Sequence, residues 1–251
     1  MMPKIPDAEP VHGSQFRNAI DSRGSARLIP HKAHPGPGSA DLADETSAES
    51  LTDTRPAASA GHRPSYRLCE RLPGEEGRAT LEGLVSGAFE RAHGARIHSF
   101  MPRLVGLEDR SGVVRSALGY RSGAEGRFFL EQYLDRPIEQ LLAARLGPDA
   151  APVDRSAIVE VGNLAGRGCR SALYLVSQMP RYLTGKGFSW ITFTGTSRVR
   201  ELLESFGAPL IDLGPADPAR LATGADDWGR YYETAPRVMA GRLADGRPFA
   251  R

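Results

Sequence analysis

Histidine is absent from this sequence after residue 98, although the chain runs to residue 251 and contains six histidines up to that point. The region beyond residue 98 therefore cannot supply the base of a Ser–His or Cys–His hydrolase. The sequence also lacks the HExxH motif and the Cys/His spacings of zinc sites. We expect no metal, and we expect acid–base chemistry in this region to depend on Glu, Asp, Tyr or water.

Cysteine, long apolar runs and an imbalance of charge are also lacking. Cys69 and Cys169 are too few for a disulfide framework and predict a reducing compartment. The sequence contains no run of about eighteen apolar residues, so it predicts no membrane-spanning helix. The N-terminus lacks the apolar segment of a secretory signal. The net charge of +2 without a Lys/Arg block gives no support for a nucleic-acid partner. We therefore expect a cytoplasmic protein.

Residues 1–63 are rich in Pro, Gly, Ser, Ala and Asp and contain few large apolar residues. Such a composition buries too little apolar surface to offset chain entropy, so it predicts a disordered leader. A docking tail is the functional alternative for the same composition.

From residue 66 onward, apolar periodicity and turn residues predict alternating strands and helices. Predicted strands cover residues 66–72, 113–119, 127–133, 158–161, 188–194 and 209–213, and another lies near the C-terminus. Predicted helices cover residues 75–92, 137–147, 172–183 and 199–206, and Pro180 is expected to kink or end the third. Residues 100–109 are predicted as a loop or short helix. This order predicts an α/β (α+β) domain, residues 64–251, with a mixed central sheet flanked by helices.

The stretch 156–172 (SAIVEVGNLAGRGCRSA) is the first candidate for a site. Glu160 lies inside an apolar strand, where a carboxylate is costly unless it is paired or has a chemical role. One interpretation pairs Glu160 with Arg121 or Arg155, and the other makes it a general base with a pKa raised by burial. The glycine-rich loop after the strand offers free backbone N–H groups to an anion.

Glu131, Tyr133 and Asp135 fall on one face if the predicted strand of FLEQYLD continues that far. They are candidates for the same site, and solvated charges beside a sheet are the alternative. Gly162-Asn163 indicates either a β-bulge that separates two strands or a glycine that relieves crowding. Asn163 either binds a substrate carbonyl or caps the turn.

Trp228, Tyr231 and Tyr232 predict either core packing or the wall of a pocket. Cys169 is expected to be a small buried residue rather than an acyl-carrying nucleophile, because no histidine lies near it in sequence. Arg121 is either a structural partner or a clamp for a substrate carboxylate or phosphate.

The segment RGCRSAL (167–173) resembles the acyl-CoA diphosphate loop of the GNAT acyltransferases, whose pattern is Arg/Gln-x-x-Gly-x-Gly/Ala. Two departures are Arg170, where the pattern has glycine, and Leu203, where many of these enzymes carry a tyrosine acid. The resemblance implies an acyl-CoA or acyl-carrier-protein phosphopantetheine thioester as co-substrate. The implied binding residues are Val161, Asn163, Arg167, Gly168, Cys169, Arg170, Ser171 and Ala172.

Four longer phrases resemble the thermostable hemolysin family of bacterial proteins, over roughly residues 78–243. They are GYR (119–121), FLEQYLDRPIE (129–139), IVEVGNLA (158–165) and WGRYYETAPRVMAG (228–241). That family is itself similar to the GNAT superfamily and, more distantly, to acyl-homoserine-lactone synthases.

The resemblance implies an acyltransferase that moves an acyl group from a thioester to the amine of a small molecule. The expected catalytic residues are Glu160 as base, Tyr231 as acid and Glu131. The expected substrate-binding residues are Arg121, Tyr133, Trp228 and Tyr232. A membrane-lytic hemolysin and a non-catalytic module that binds acyl thioesters are the alternatives.

Overall fold

A computed structural model describes residues 65–205 and 207–245, so the predicted leader lies outside the described residues. The described strands are β1 (Arg67–Arg71), β2 (Arg103–Glu108), β3 (Val114–Ser122), β4 (Ile158–Gly166), β5 (Trp190–Gly195), β6 (Ile211–Pro215) and β7 (Arg237–Arg242). The α-helices found in these ranges are α1 (Arg78–His93), α2 (Ile138–Leu146), α3 (Cys169–Thr184) and α4 (Ser197–Ser205).

The seven strands form one mixed sheet in the order β1-β2-β3-β4-β5-β7-β6. Neighbouring strands are antiparallel except β4 and β5, which are parallel and are connected through α3. The predicted α/β (α+β) class with a mixed central sheet and flanking helices is confirmed.

Helices cover both faces of the sheet. On one face, the α3 side chains Leu175, Met179 and Leu183 pack against alternate residues of β2, β3 and β4, such as Val105 and Val159. On the other face, α1 packs against Leu104, Ala117 and Ala165, and α2 packs against Ile158 and Trp190. We call these the α3 face and the α1 face. Burial of each large side chain contributes roughly 1.5–3 kcal/mol to stability, so these three clusters hold the sheet and helices together.

One local prediction was wrong because of neighbours that are distant in sequence. Residues 103–108 are a strand rather than a loop or short helix. β2 is paired on both edges and covered on both faces, so Leu104–Leu107 are all buried and show no alternation. Pro180 does not end α3, which begins at Cys169 and continues to Thr184.

The predicted strand 127–133 is also wrong, because Phe129–Tyr133 form a short 3-10 helix. The Glu131 carboxylate accepts hydrogen bonds from the N–H groups of Phe128 and Ile138, each at 2.9 Å. Arg155 donates to both oxygens of the same carboxylate, at 2.8 and 2.9 Å. Glu131 is therefore buried, whereas Asp135 is exposed and pairs with Arg220, so the two residues share no strand face.

Removal of the Glu131 charge is expected to destabilise the domain. Glu131→Gln leaves Arg155 without its buried partner and is predicted to lower the free energy of unfolding by about 3 kcal/mol, measured by urea denaturation at pH 7. Glu139→Gln is the matched control, since Glu139 contacts the same guanidinium from a more exposed position. We expect this control to cost less than about 1 kcal/mol. Equal losses for the two variants would contradict the structural role of Glu131.

The same ion pair predicts a pH dependence. Burial alone raises the pKa of Glu131, but hydrogen bonds from Arg155, Ile138 and Phe128 outweigh it and hold the pKa below its usual value. A lowered folded-state pKa gives stability that is present above the unfolded pKa and is lost as the pH falls through the folded pKa. Urea denaturation at a series of pH values is therefore expected to show a difference between wild type and Glu131→Gln that begins to shrink as the pH falls through the ordinary pKa of a glutamate and is lost below the lowered folded-state pKa.

Candidate functional site

A β-bulge interrupts β4 where the sequence contains Gly162-Asn163. Ala117 of β3 faces Ala165 and Gly119 faces Gly162, so the single residue between them on β3 opposes two residues of β4. Asn163 adopts a left-handed conformation with φ of 52°, and its Oδ1 accepts the N–H of Met101 at 2.8 Å. The predicted bulge is confirmed, and the Asn163 side-chain oxygen is used to hold the segment before β2.

Beyond the start of this bulge, β4 and β5 separate. Their parallel pairing runs only from Ile158–Trp190 to Val161–Phe193. β5 continues to Gly195 along β7, while β4 continues to Gly166 along β3. We call the gap between residues 162–166 and 194–195 the wedge. Within the described residues, no strand pairs with the β4 edge that faces the wedge, so its backbone polar groups are available to a ligand.

A cavity of about 950 Å³ opens at the wedge and contacts residues from both faces of the sheet. One end is apolar and consists of side chains from α3, β5 and α4; we call it the apolar compartment. Its lining includes Leu173, Val176, Met179, Phe193, Val199, Leu202 and Leu203. The other end is the aromatic compartment on the α1 face. Its lining includes Phe89, His93, Arg121, Phe129, Tyr133, Glu160, Trp228 and Tyr231.

Glu160 lines the aromatic compartment, with only 2% of its surface exposed. Its two carboxylate oxygens accept the N–H groups of Phe129 and Leu130, each at 2.9 Å. Burial raises the pKa of Glu160; the two N–H donors and the charge of Arg121 oppose this without cancelling it. Each oxygen retains a further acceptor site, so Glu160 is both a structural cap and a candidate base.

Of the two arginines predicted as ion-pair partners of Glu160, only Arg121 lies beside it. Arg155 pairs with Glu131 and Glu139, so its pairing with Glu160 was wrong. Arg121 lies directly opposite Glu160 in the β3–β4 register, which places the two side chains on the same face. Among the described residues, no carboxylate lies within ion-pair distance of the Arg121 guanidinium.

Two tyrosine side chains, Tyr133 and Tyr231, bring hydroxyl groups to the aromatic compartment. Tyr231 donates its hydroxyl hydrogen bond to the backbone oxygen of Thr194 at 3.3 Å, and burial and Tyr232 raise its pKa. The hydroxyls of Tyr133 and Tyr232 are 2.7 Å apart, and burial is the main cause that raises the pKa of each. Tyr133 lines the cavity, but Tyr232 does not and instead supports Tyr133 from behind.

His93 is a residue of the compartment that sequence reasoning missed. Although no histidine follows residue 98, the last turn of α1 brings the His93 ring to 5.3 Å from that of Tyr231. Burial and the nearby charge of Arg230 lower its pKa, which favours a neutral imidazole. The sequence feature that could have identified His93 is its position four residues after Phe89, on the apolar face of the predicted helix.

The predicted anion-binding loop lies at the start of α3. Arg167 donates to the backbone oxygen of Val114 at 3.0 Å, and Ser171 donates to that of Arg115 at 3.1 Å. These bonds fix the loop against β3, while the first N–H groups of α3 have no partner within the helix. Of this segment, only Cys169 and Ala172 line the cavity; Gly168 and Arg170 are exposed beside it. Cys169 is exposed, so its predicted burial was wrong.

Glu131 does not belong to the cavity lining, and its carboxylate is already bound by four donors. Its contacts favour the structural role over the predicted catalytic one. The parts of the chain that the structure describes contain no group of three or more His, Cys, Asp or Glu that could hold a metal ion. In the same parts, no helix combines the length and apolar character needed to cross a membrane.

Comparisons with known proteins give one family and several similar structures. The sequence model of a family described as thermostable hemolysin matches residues 72–247. FeeM, an N-acyl amino acid synthase from uncultured soil microbes, is 14% identical with a TM-score of 0.48, over 74% of this chain and 96% of that one. The AHL synthase LasI is 13% identical with a TM-score of 0.47, over 72% of this chain and 91% of that one. No protein of curated function matches the sequence.

The left-handed backbone at Asn163 predicts a strict order of tolerance to substitution. Asn163→Gly keeps the conformation and loses one hydrogen bond, so we expect it to cost about 1 kcal/mol of unfolding free energy. Asn163→Val adds a β-branched side chain at positive φ and is expected to cost a further 1–3 kcal/mol or so. Urea denaturation measures both, and equal stability of the two variants would contradict the bulge geometry.

Proposed function

This chain belongs to the thermostable hemolysin family, and from that premise and the geometry of the wedge we propose that it is an N-acyltransferase. It would move an acyl group from a phosphopantetheine thioester to the amine of a small molecule. The observation that carries the proposal is the cavity at the wedge, with an apolar compartment at one end and Glu160 with aromatic hydroxyls at the other.

The wedge suits the shape and chemistry of a pantetheine arm. The arm is thin and carries two amides, and the free edge of residues 162–166 offers backbone donors and acceptors to such groups. The arm ends in a phosphate, and the first turn of α3 offers N–H groups and a positive dipole end beside the cavity. In this arrangement Val161 and Asn163 border the arm, and residues 167–172 hold the phosphate.

The donor is acyl-CoA or an acyl-carrier protein. Arg170 is exposed in the first turn of α3, where its charge is available to a phosphate or to an acidic carrier protein. A carrier protein presents one phosphate, whereas CoA presents several, so the altered loop suits the smaller anion.

Glu160 would act as the base. An amine is protonated at neutral pH and must lose a proton before its nitrogen can attack a thioester carbonyl. A carboxylate with a raised pKa in the lining of the cavity is suited to accept that proton, directly or through a water. The new C–N bond then forms as the C–S bond breaks.

Tyr231 would return a proton to the departing thiolate, so that the products are an amide and a free thiol. Its raised pKa keeps the hydroxyl protonated at neutral pH, as an acid requires. It lines the same cavity as Leu203, which stands where many GNAT enzymes carry a tyrosine acid and cannot perform that role.

Direct membrane lysis is the competing function. A product with a long acyl chain and a polar head is an amphiphile, so an acyltransferase can cause lysis indirectly. Purified protein is therefore expected to release no dye from phospholipid vesicles without an acyl donor and an amine. Release by the protein alone, in the absence of any donor, would favour the lytic function instead.

The base assignment is tested by thiol release from acyl-CoA or acyl-carrier protein in the presence of amines. Glu160→Gln is expected to lower kcat/KM by about 10²–10⁴-fold, while Glu139→Gln leaves it unchanged. Because burial raises the pKa of Glu160, wild-type activity should fall on the acid side at a pH above the usual 4.5. His93→Asn should retain this acid limb; if the limb disappears in His93→Asn, the base is His93 rather than Glu160.

The assignment of Tyr231 as the acid predicts a different change in kinetics. Tyr231→Phe is expected to lower kcat by about 10²-fold without a change in the acid limb of the pH profile. Tyr232→Phe is the neighbouring comparison, with a smaller expected effect because its hydroxyl lies behind Tyr133. Thermal unfolding of both variants separates lost chemistry from lost folding. Full activity of Tyr231→Phe would transfer the acid role to another group.

A further inference from the structure

We infer that the amine acceptor carries a carboxylate, that Arg121 binds this carboxylate, and that the acceptor is an α-amino acid with an apolar or aromatic side chain. The inference rests on the proposed acyl transfer and adds the chemical class of its acceptor. The product is then an N-acyl amino acid.

The first observation is the position of Arg121 next to the candidate base. Arg121 and Glu160 are directly opposed on the antiparallel strands β3 and β4, and both line the aromatic compartment. Side chains in such a pair leave the sheet on the same face, with Cβ atoms about 5 Å apart. An α-amino acid separates its amine from its carboxylate by a single carbon. A ligand can therefore place its amine at Glu160 and its carboxylate at Arg121.

The second observation is that Arg121 retains most of its hydrogen-bonding capacity. Its one hydrogen bond in the described structure is a long one, 3.4 Å, to the backbone oxygen of Arg127. Arg127, which also lines the cavity, is exposed and donates to the backbone oxygen of Glu131 at 3.1 Å. Arg155, outside the lining, is held by Glu131 and Glu139. Within residues 65–205 and 207–245, no carboxylate lies within 4.0 Å of Arg121. A half-buried guanidinium with free N–H groups is suited to bind a carboxylate with two parallel hydrogen bonds.

The third observation is the aromatic wall of the same compartment. Phe129 keeps 36% of its surface exposed, although it lies in the lining of the cavity. Its ring lies 5.9 Å from that of Trp228 and 6.0 Å from that of Tyr133. An exposed aromatic ring within an aromatic cluster offers an apolar side chain a site to pack. This wall favours acceptors such as leucine, phenylalanine or tyrosine over small polar amines.

The reaction is balanced for such an acceptor. The ammonium nitrogen loses one proton to Glu160, which releases it to solvent, and the free amine then forms a bond to the carbonyl carbon. The C–S bond breaks as Tyr231 gives a proton to the sulfur, and the second proton lost by the nitrogen restores the Tyr231 hydroxyl. The carboxylate takes no part in the chemistry and remains on Arg121. The product carries an acyl chain and one negative charge, which makes it an anionic amphiphile.

A competition experiment tests the inference. Wild-type protein is supplied with decanoyl-CoA or a decanoyl carrier protein, and with L-leucine, L-phenylalanine and L-tyrosine. Each amino acid is mixed with an equal amount of its carboxamide and of its decarboxylated amine. Mass spectrometry measures the acylated products. We expect the amino acids to be preferred by about 10- to 100-fold, the range that a charge-assisted hydrogen bond supplies.

Substitutions of Arg121 separate recognition from catalysis. Arg121→Gln is expected to raise KM for the amino acids by about 10- to 100-fold and to leave KM for the decarboxylated amines nearly the same. A change in kcat is shared by both classes of acceptor, because the Arg121 charge also acts on the pKa of Glu160. Arg121→Lys should recover part of the preference, because it keeps the charge and loses the paired donors. Arg136→Gln is the matched control: Arg136 is exposed and outside the cavity lining, so the preference should remain. Thermal unfolding verifies that each variant is folded.

The outcomes distinguish the two levels of the proposal. Acylation of amines or carboxamides as efficiently as of amino acids would overturn the acceptor class and leave acyl transfer intact. A preference that persists in Arg121→Gln would overturn the role of Arg121. Absence of thiol release with every acceptor and both donors would overturn the acyl transfer itself, and the acceptor class with it.

Discussion

The early end of pairing between β4 and β5 is the constraint on which the site depends. The two strands share only four paired positions, and the bulge at Gly162-Asn163 then directs β4 away from β5. A continuous sheet would fill this space with backbone hydrogen bonds and leave no passage between its faces. The separation instead leaves a free strand edge, a cavity and the first turn of α3 in one place. The remainder of the fold keeps these three features in position.

Two buried glutamates hold the segment that forms one side of this cavity. Glu160 binds the N–H groups of Phe129 and Leu130, and Glu131 binds those of Phe128 and Ile138. A short 3-10 turn leaves such backbone donors unpaired, and a buried unpaired donor costs about 1–3 kcal/mol. The two carboxylates have different environments, however. Arg155 lowers the pKa of Glu131, whereas burial raises that of Glu160, so only Glu160 is suited to exchange a proton.

The sequence was sufficient to predict features whose cause is local. Glu160 stood out because a charge inside an apolar strand needs a partner or a chemical role, and Gly162-Asn163 indicated the bulge through the conformations these residues favour. The segment 127–133 was assigned wrongly because its amides bind a carboxylate that lies about thirty positions away in the chain. His93 was missed for the same kind of reason, since packing of α1 rather than chain order brings it beside Tyr231. Tyr232 and Glu131 carry groups that could bind a substrate or transfer a proton, but neither lines the cavity. Tertiary contacts that no sequence pattern contains set the direction of both side chains.

The central claim is that a thioester arm occupies the wedge with its sulfur next to Glu160. A crystal structure of the protein with a non-hydrolysable thioether analogue of decanoyl-CoA tests it most directly. The account predicts that the pantetheine amides bond to the edge of residues 162–166, with the phosphate at the first turn of α3 and the sulfur beside Glu160. An analogue bound elsewhere on the protein, with the wedge closed or empty, would contradict the account.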